Sequence, residues 1–144
     1  MYNDIFNNKD MQRLQDLLIK YNKKITCAES CTGGLIASIL TSLSGSSDIF
    51  DGSIVSYSNN IKINELNVRE KTLNNFGAVS TEVVEEMLLG SIDKFSADFS
   101  IAVSGIAGPN GGTKQKPVGT VVIGISDNKN TSIVDVHSFS GNRE

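Results

Sequence analysis

Residues 24–36, Lys24-Ile25-Thr26-Cys27-Ala28-Glu29-Ser30-Cys31-Thr32-Gly33-Gly34-Leu35-Ile36, decide the fold. A short, largely apolar run at 24–28 reads as a buried strand, and it ends in a turn of small polar residues. Leu35, Ile36, Ile39, Leu40 and Leu43 then predict a helix, which Ser44-Gly45-Ser46-Ser47 closes with a glycine suited to a helix C-terminus. A strand-to-helix junction of this kind offers backbone N–H groups and a hydroxyl where an anion or an oxyanion can be held. Ser30 is therefore a candidate nucleophile.

The same alternation continues outward. Met11, Leu14, Leu17, Leu18 and Tyr21 predict an amphipathic helix over 10–22. Ser53 to Tyr57 has the β-branched and aromatic composition of a strand. Asn59-Asn60 is expected to cap a short helix carrying Ile61, Ile63 and Leu66, with further helical turns near 69–75. Gly77-Ala78-Val79-Ser80 reads as a bend into a long helix with Ser80 as its cap and an apolar face from Val83 to Phe95. Phe99 to Val103 is a third strand, leading into a loop over 104–112. Two more strands, 118–125 and 132–139, are joined by the turn Asp127-Asn128-Lys129-Asn130. The expected fold is α/β, a three-layer α/β/α sandwich with a mixed β-sheet, in a single domain over 1–144.

Composition narrows the function. The formal charge is −3 and the lysines are scattered, so no nucleic-acid partner is expected. No apolar run approaches the ~18 residues that would cross a bilayer. Met1-Tyr2-Asn3-Asp4 lacks the pattern of a secretory leader, and a cytoplasmic location is expected. Cys27 and Cys31 are too few for a disulfide framework, and His137 does not cluster with carboxylates. Neither a metal nor a cofactor is expected.

Three strand ends carry the candidate chemistry: 28–34, 57–62 and 104–112. In open α/β sheets ligands gather outside the carboxyl ends of strands. Ser30 needs a base, and two side chains are available. His137, the only histidine, alternates with Val134, Val136 and Phe139 and reads better as a surface or structural residue. Lys62 lies just past the second strand end. It serves as a base only if burial lowers its pKa, and it otherwise reads as a solvated helix lysine. Cys31 is an alternative nucleophile, or else a small buried residue of the first helical turn. The glycines of 104–112 match neither a P-loop nor a dinucleotide loop, though their amides can approach a phosphate or sugar. Lys114 and Lys116 lie on the far side of that loop.

Six segments taken in order resemble the CinA C-terminal domain family from about Leu14 to the end of the chain. They are Ala28 to Gly34, Tyr57-Ser58-Asn59 with Lys62, Gly77 to Ser80, Ser104 to Pro109, Lys116 to Thr120, and Phe139 to Arg143. The resemblance implies a serine amidohydrolase that converts nicotinamide mononucleotide to nicotinate mononucleotide and ammonia. It implies Ser30 as nucleophile, Lys62 as general base and Tyr57 as an assisting hydroxyl. Thr32, Gly33, Gly34, Ser104 and Gly105 would line the pocket and supply donors, with oxyanion donors at the start of the 33–43 helix. Arg143 would reach the phosphate or fix the pocket edge. The alternative is a catalytically silent nucleotide-binding or regulatory domain of the same family. The partner expected is the small-molecule nucleotide, and self-association into a homo-oligomer is expected. The resemblance further implies a stand-alone form without the large N-terminal domain of many members. It also implies that a C-terminal helix covering one face of the sheet is missing after Arg143.

Overall fold

The computed structural model describes residues 7–129 and 131–144; the leader reading at Met1–Asp4 and Asn130 of the expected hairpin turn lie outside them. Helix α1 (Asn8–Lys20) begins where the Asn7 side chain accepts the Lys9 N–H at 2.9 Å, earlier than expected. Strand β1 (Ile25–Glu29) is buried along its whole length. Helix α2 (Leu35–Leu40) ends short of Leu43, and a tighter turn at Ser46–Asp48 carries the chain back towards the sheet. Strand β2 (Ile54–Val55) keeps only two of the five residues predicted. Helix α3 (Asn59–Leu66) is capped by Ser58, whose Oγ accepts the Ile61 N–H at 3.2 Å, and not by Asn59 or Asn60.

Helix α4 (Glu70–Phe76) leads into α5 (Thr81–Phe95), which Ser80 caps as the sequence predicts, accepting the Val83 N–H at 3.3 Å. Strand β3 (Phe99–Gly105) runs two residues past its expected end. Ser104 and Gly105, read as loop, pair with Val122 and Val121 of β4 (Thr120–Asp127). Strand β5 (Ser132–Ser138) completes the hairpin.

The sheet order is β2-β1-β3-β4-β5, with β1 parallel to both β2 and β3, and β4 and β5 antiparallel. The fold is thus α/β with a mixed sheet between two helical layers, as expected. One layer packs Met11 and Leu18 of α1 and Leu40 of α2 against Ile25 and Cys27. The other packs Leu66, Leu73, Val84, Met87 and Leu88 from α3 to α5 against Ala28, Ala102 and Val122. After β1 the chain crosses one face to β2, then returns over the other face to β3. The strand order therefore reverses at β1, and in open α/β sheets the carboxyl ends of the strands beside such a reversal are where ligands gather. The residues after β1 and β3 lie at that end.

Two contacts fix α3 and α4 on α5. Gly90 faces the Leu66 backbone so closely that any Cβ would collide with the Leu66 carbonyl. Glu86 accepts the Arg69 N–H at 2.8 Å, the Arg69 Nε–H at 2.6 Å and the Thr72 hydroxyl at 2.8 Å. Burial alone would raise the Glu86 carboxyl, but these three donors and the Arg69 charge outweigh it and hold it below the usual range. Glu86→Gln is expected to cost about 1–2 kcal/mol at neutral pH. The carboxylate's contribution is complete above an unfolded value of about 4.3 and fades as pH falls through the lower folded value. Thermal melts of parent and variant should therefore converge in acid. A gap that persists there would assign the loss to packing instead.

The face of the sheet opposite α5 is only partly covered. Leu14 and Leu17 of α1, Tyr21 just past its end, and Phe99, Ile125 and Ile133 of the sheet line an open apolar groove of about 710 Å³. Among the described residues no helix is long and apolar enough to cross a membrane.

Candidate active site

Ser30 follows β1 directly, and its N–H donates to the Val103 carbonyl of β3 at 3.0 Å. The side chain is nearly enclosed. Lys62, in the first turn of α3, is only 1 % exposed and reaches back to the same point. Its Nζ lies 3.1 Å from Ser30 Oγ and donates to the Ser56 carbonyl at 2.6 Å. Burial lowers the Lys62 pKa below the ordinary lysine value, and the neighbouring Cys31 opposes this in part. A neutral Nζ can keep its bond to Ser56 and turn its lone pair to the Ser30 hydroxyl.

Cys31 stands beside this pair with its thiol pushed up by burial. A protonated thiol is a weak nucleophile, so the geometry and the charge both favour Ser30. Gly105 leaves room for it: a Cβ there would sit 3.0 Å from Cys31 Sγ and 2.9 Å from Val121. Cys31→Ala is expected to keep activity within about threefold of the parent, less than 1 kcal/mol in barrier. Loss of activity well beyond that would return Cys31 to the mechanism.

The backbone donors around Ser30 are distributed differently from expectation. The Gly33 N–H donates to the Ser30 carbonyl at 3.1 Å, and the Gly34 N–H to Glu29 Oε2 at 3.1 Å. Ile36 and Ala37 also donate to the Glu29 carboxylate, at 3.1 and 2.8 Å. The start of α2 is thus already engaged. Among the described residues the N–H groups of Cys31 and Thr32, next in the chain after Ser30, donate to no backbone or side-chain oxygen. Thr32 Oγ1 is buried and has no hydrogen-bond partner among the described residues. Ser104 is not a free donor either, because its Oγ donates to the Ala78 carbonyl at 2.8 Å and ties β3 to the entry of α5.

Tyr57 and Arg143 form a second cluster. Arg143 donates to the Tyr57 hydroxyl at 2.8 Å and to the Gly108 carbonyl at 2.9 Å. Tyr57 is largely exposed and belongs to the rim, one residue past the carbonyl that holds Lys62. His137 lies on β5, exposed and stacked near Phe139, three strands away from β1. It takes no part in the site. Lys116 donates to the Phe76 carbonyl at 2.6 Å and so fixes the loop before β4 to α4. Two contributors were not read from the sequence: Ser56, through its carbonyl, and Glu29.

Fold and site together define an α/β domain with a buried serine–lysine pair where the strand order reverses. The chain belongs to the CinA C-terminal domain family, whose model matches residues 7–144. Nicotinamide-nucleotide amidohydrolase PncC of Enterobacter agglomerans is 51 % identical over 120 residues, covering 83 % of this chain and 73 % of that protein. A CinA-like protein of Syntrophomonas wolfei is 50 % identical over 127 residues, covering 88 % of this chain. The chain spans only 30 % of the length of that relative. Among solved structures, the competence/damage-inducible protein CihA of Agrobacterium tumefaciens superposes with a TM-score of 0.87 at 37 % identity, covering 90 % of this chain and 79 % of that one. The CinA superfamily protein of Escherichia coli gives 0.88 at 32 % identity, covering 96 % and 83 %.

Proposed function

We propose that this domain is a nicotinamide-nucleotide amidohydrolase working through Ser30 and Lys62. The observation that carries the reading is the buried lysine nitrogen 3.1 Å from a serine hydroxyl at the strand-order reversal. The named relative PncC supplies the substrate class.

Amide hydrolysis needs a nucleophile, a proton carrier and stabilisation of a tetrahedral oxyanion. Neutral Lys62 takes the Ser30 proton as Oγ bonds to the carboxamide carbon. The carbonyl oxygen, now negative, lies towards the Cys31 and Thr32 N–H groups. Lys62 passes its proton to the departing nitrogen, the C–N bond breaks and ammonia leaves. Water then attacks the Ser30 ester, gives a proton to Lys62, and the proton returns to Oγ. Each well-placed oxyanion donor is worth about 3–4 kcal/mol in such a step. At the rim, Arg143 uses two of its N–H groups on Tyr57 and Gly108, and the exposed guanidinium can meet the nucleotide phosphate.

The test is direct. Supplied with nicotinamide mononucleotide, the protein is expected to release ammonia and form nicotinate mononucleotide in equal amounts. Binding without release would favour a nucleotide-binding or regulatory role. Neither binding nor release would overturn the substrate class.

A further inference from the structure

Glu29 is a fully buried carboxylate one residue before the nucleophile. Among the described residues it has no cation partner. Its two oxygens accept the N–H groups of Gly34, Ile36 and Ala37, and Cys27 Sγ lies 3.6 Å away. An unpaired buried carboxylate is costly unless hydrogen bonds satisfy it, so its presence at this point has to be explained.

The explanation lies in what those bonds connect. Helix α2 has Gly34 at its cap position, in a left-handed conformation with no side chain to accept an N–H. Glu29 supplies the missing acceptor from the strand side, across the turn that contains Ser30, Cys31 and Thr32. It thereby fixes where that turn sits relative to β1. The Glu29 main chain braces the other half of the site, since its carbonyl accepts the Ser56 N–H at 2.7 Å and the Ser56 hydroxyl at 3.2 Å. Ser56 in turn presents the carbonyl that holds Lys62.

We propose that Glu29 is the positioning residue of the site: its side chain locks the nucleophile turn and directs the oxyanion load to Cys31 and Thr32, while its carbonyl locks the Ser56–Lys62 contact. Because Glu29 touches no solvent, it cannot touch substrate, and its effect falls on turnover and not on binding. The kinetic part of this inference rests on the amidase reading, so the test includes a measure that does not need the natural substrate. Diisopropyl fluorophosphate serves: Ser30 Oγ bonds to phosphorus, fluoride leaves, and the hydroxyl proton goes to Lys62. Intact mass follows the label.

In Glu29→Gln one acceptor oxygen becomes an NH₂ facing backbone N–H groups, which displaces the turn. The expected result is a loss of about 10²-fold in both labelling rate and kcat. KM should stay within about twofold, the signature of an interaction made only in the transition state. Glu29→Asp, which keeps the charge but shortens the reach, should fall between parent and Glu29→Gln. Glu86→Gln, destabilised on α5, should label at the parent rate. Labelling of Glu29→Gln within about threefold of the parent overturns the proposal. So does a loss that simply follows melting temperature across the three variants. If Glu29→Gln does not fold, a folded Glu29→Asp with parent kinetics is equally decisive. A parent that is labelled at Ser30 yet releases no ammonia sinks the substrate reading alone, and the labelling ratios still decide the role of Glu29. A parent neither labelled nor active overturns both.

Discussion

Ser30→Ala is expected to end ammonia release, with kcat falling on the order of 10⁴-fold or more, while the nucleotide still binds. The substitution removes a single atom from a side chain that is only 8 % exposed, so it leaves the turn, the Glu29 contacts and the Arg143 cluster in place. What is lost is the atom that, in the proposed mechanism, bonds to the carboxamide carbon. Lys62 keeps its 2.6 Å bond to Ser56 and remains where it is, which separates loss of the nucleophile from collapse of the site. An ammonia assay beside a calorimetric titration with nicotinamide mononucleotide reads both quantities. Release that survives the substitution would move the attacking role to another group, with Cys31 the nearest alternative.

Lys62→Met should lower kcat by about 10²–10⁴-fold, the range spanned by general acid–base catalysis, in a protein that still folds. Methionine fills most of the buried channel but accepts no proton. The pH dependence gives a sharper test. Only the neutral lysine can take the Ser30 proton, so the parent rate should rise with pH through the Lys62 pKa, which burial holds below the ordinary value. Stability should follow in the same sense. From that lowered value up to about 10.4 the unfolded chain binds one more proton than the folded one, so folding strengthens as pH rises through the window. Lys62→Met removes both effects. Parent-like turnover or an unchanged pH profile in the variant would place the base elsewhere.

Much of this arrangement was legible in the sequence, because helical and strand periodicities alternate cleanly and the Ser80 cap and the terminal hairpin carry ordinary local signals. Strand β2 was not. Five residues look like strand, yet only Ile54 and Val55 pair, since the Ser56 carbonyl turns inward to Lys62. Lys62 itself has the look of a surface lysine beside Ile61 and Ile63. Its burial is imposed by packing of α3 on α5, where Gly90 admits the Leu66 backbone, and no local pattern reports that contact. The bond made by Ser104 was hidden for a related reason. A hydroxyl at a strand end looks free until the antiparallel register of β4 carries β3 onward, where that hydroxyl donates to the Ala78 carbonyl. The amides at the start of α2 look free in the sequence because a carboxylate in a buried strand reads locally as an edge residue, and only the fold shows Glu29 facing them.

The parallel pairing of β1 with β3 has a kinetic consequence. The hairpin from β3 to β5 is built from near neighbours in sequence, whereas Lys24 meets Asp98 across 74 intervening steps of the chain. Closing so long a loop costs entropy before any contact repays it, and pairings of that kind form slowly. Ser30 takes its backbone anchor from Val103, on the far side of that closure. Ser30 is therefore seated only when two segments far apart in the chain have met, and recovery of reactive Ser30 after dilution from denaturant would time that closure.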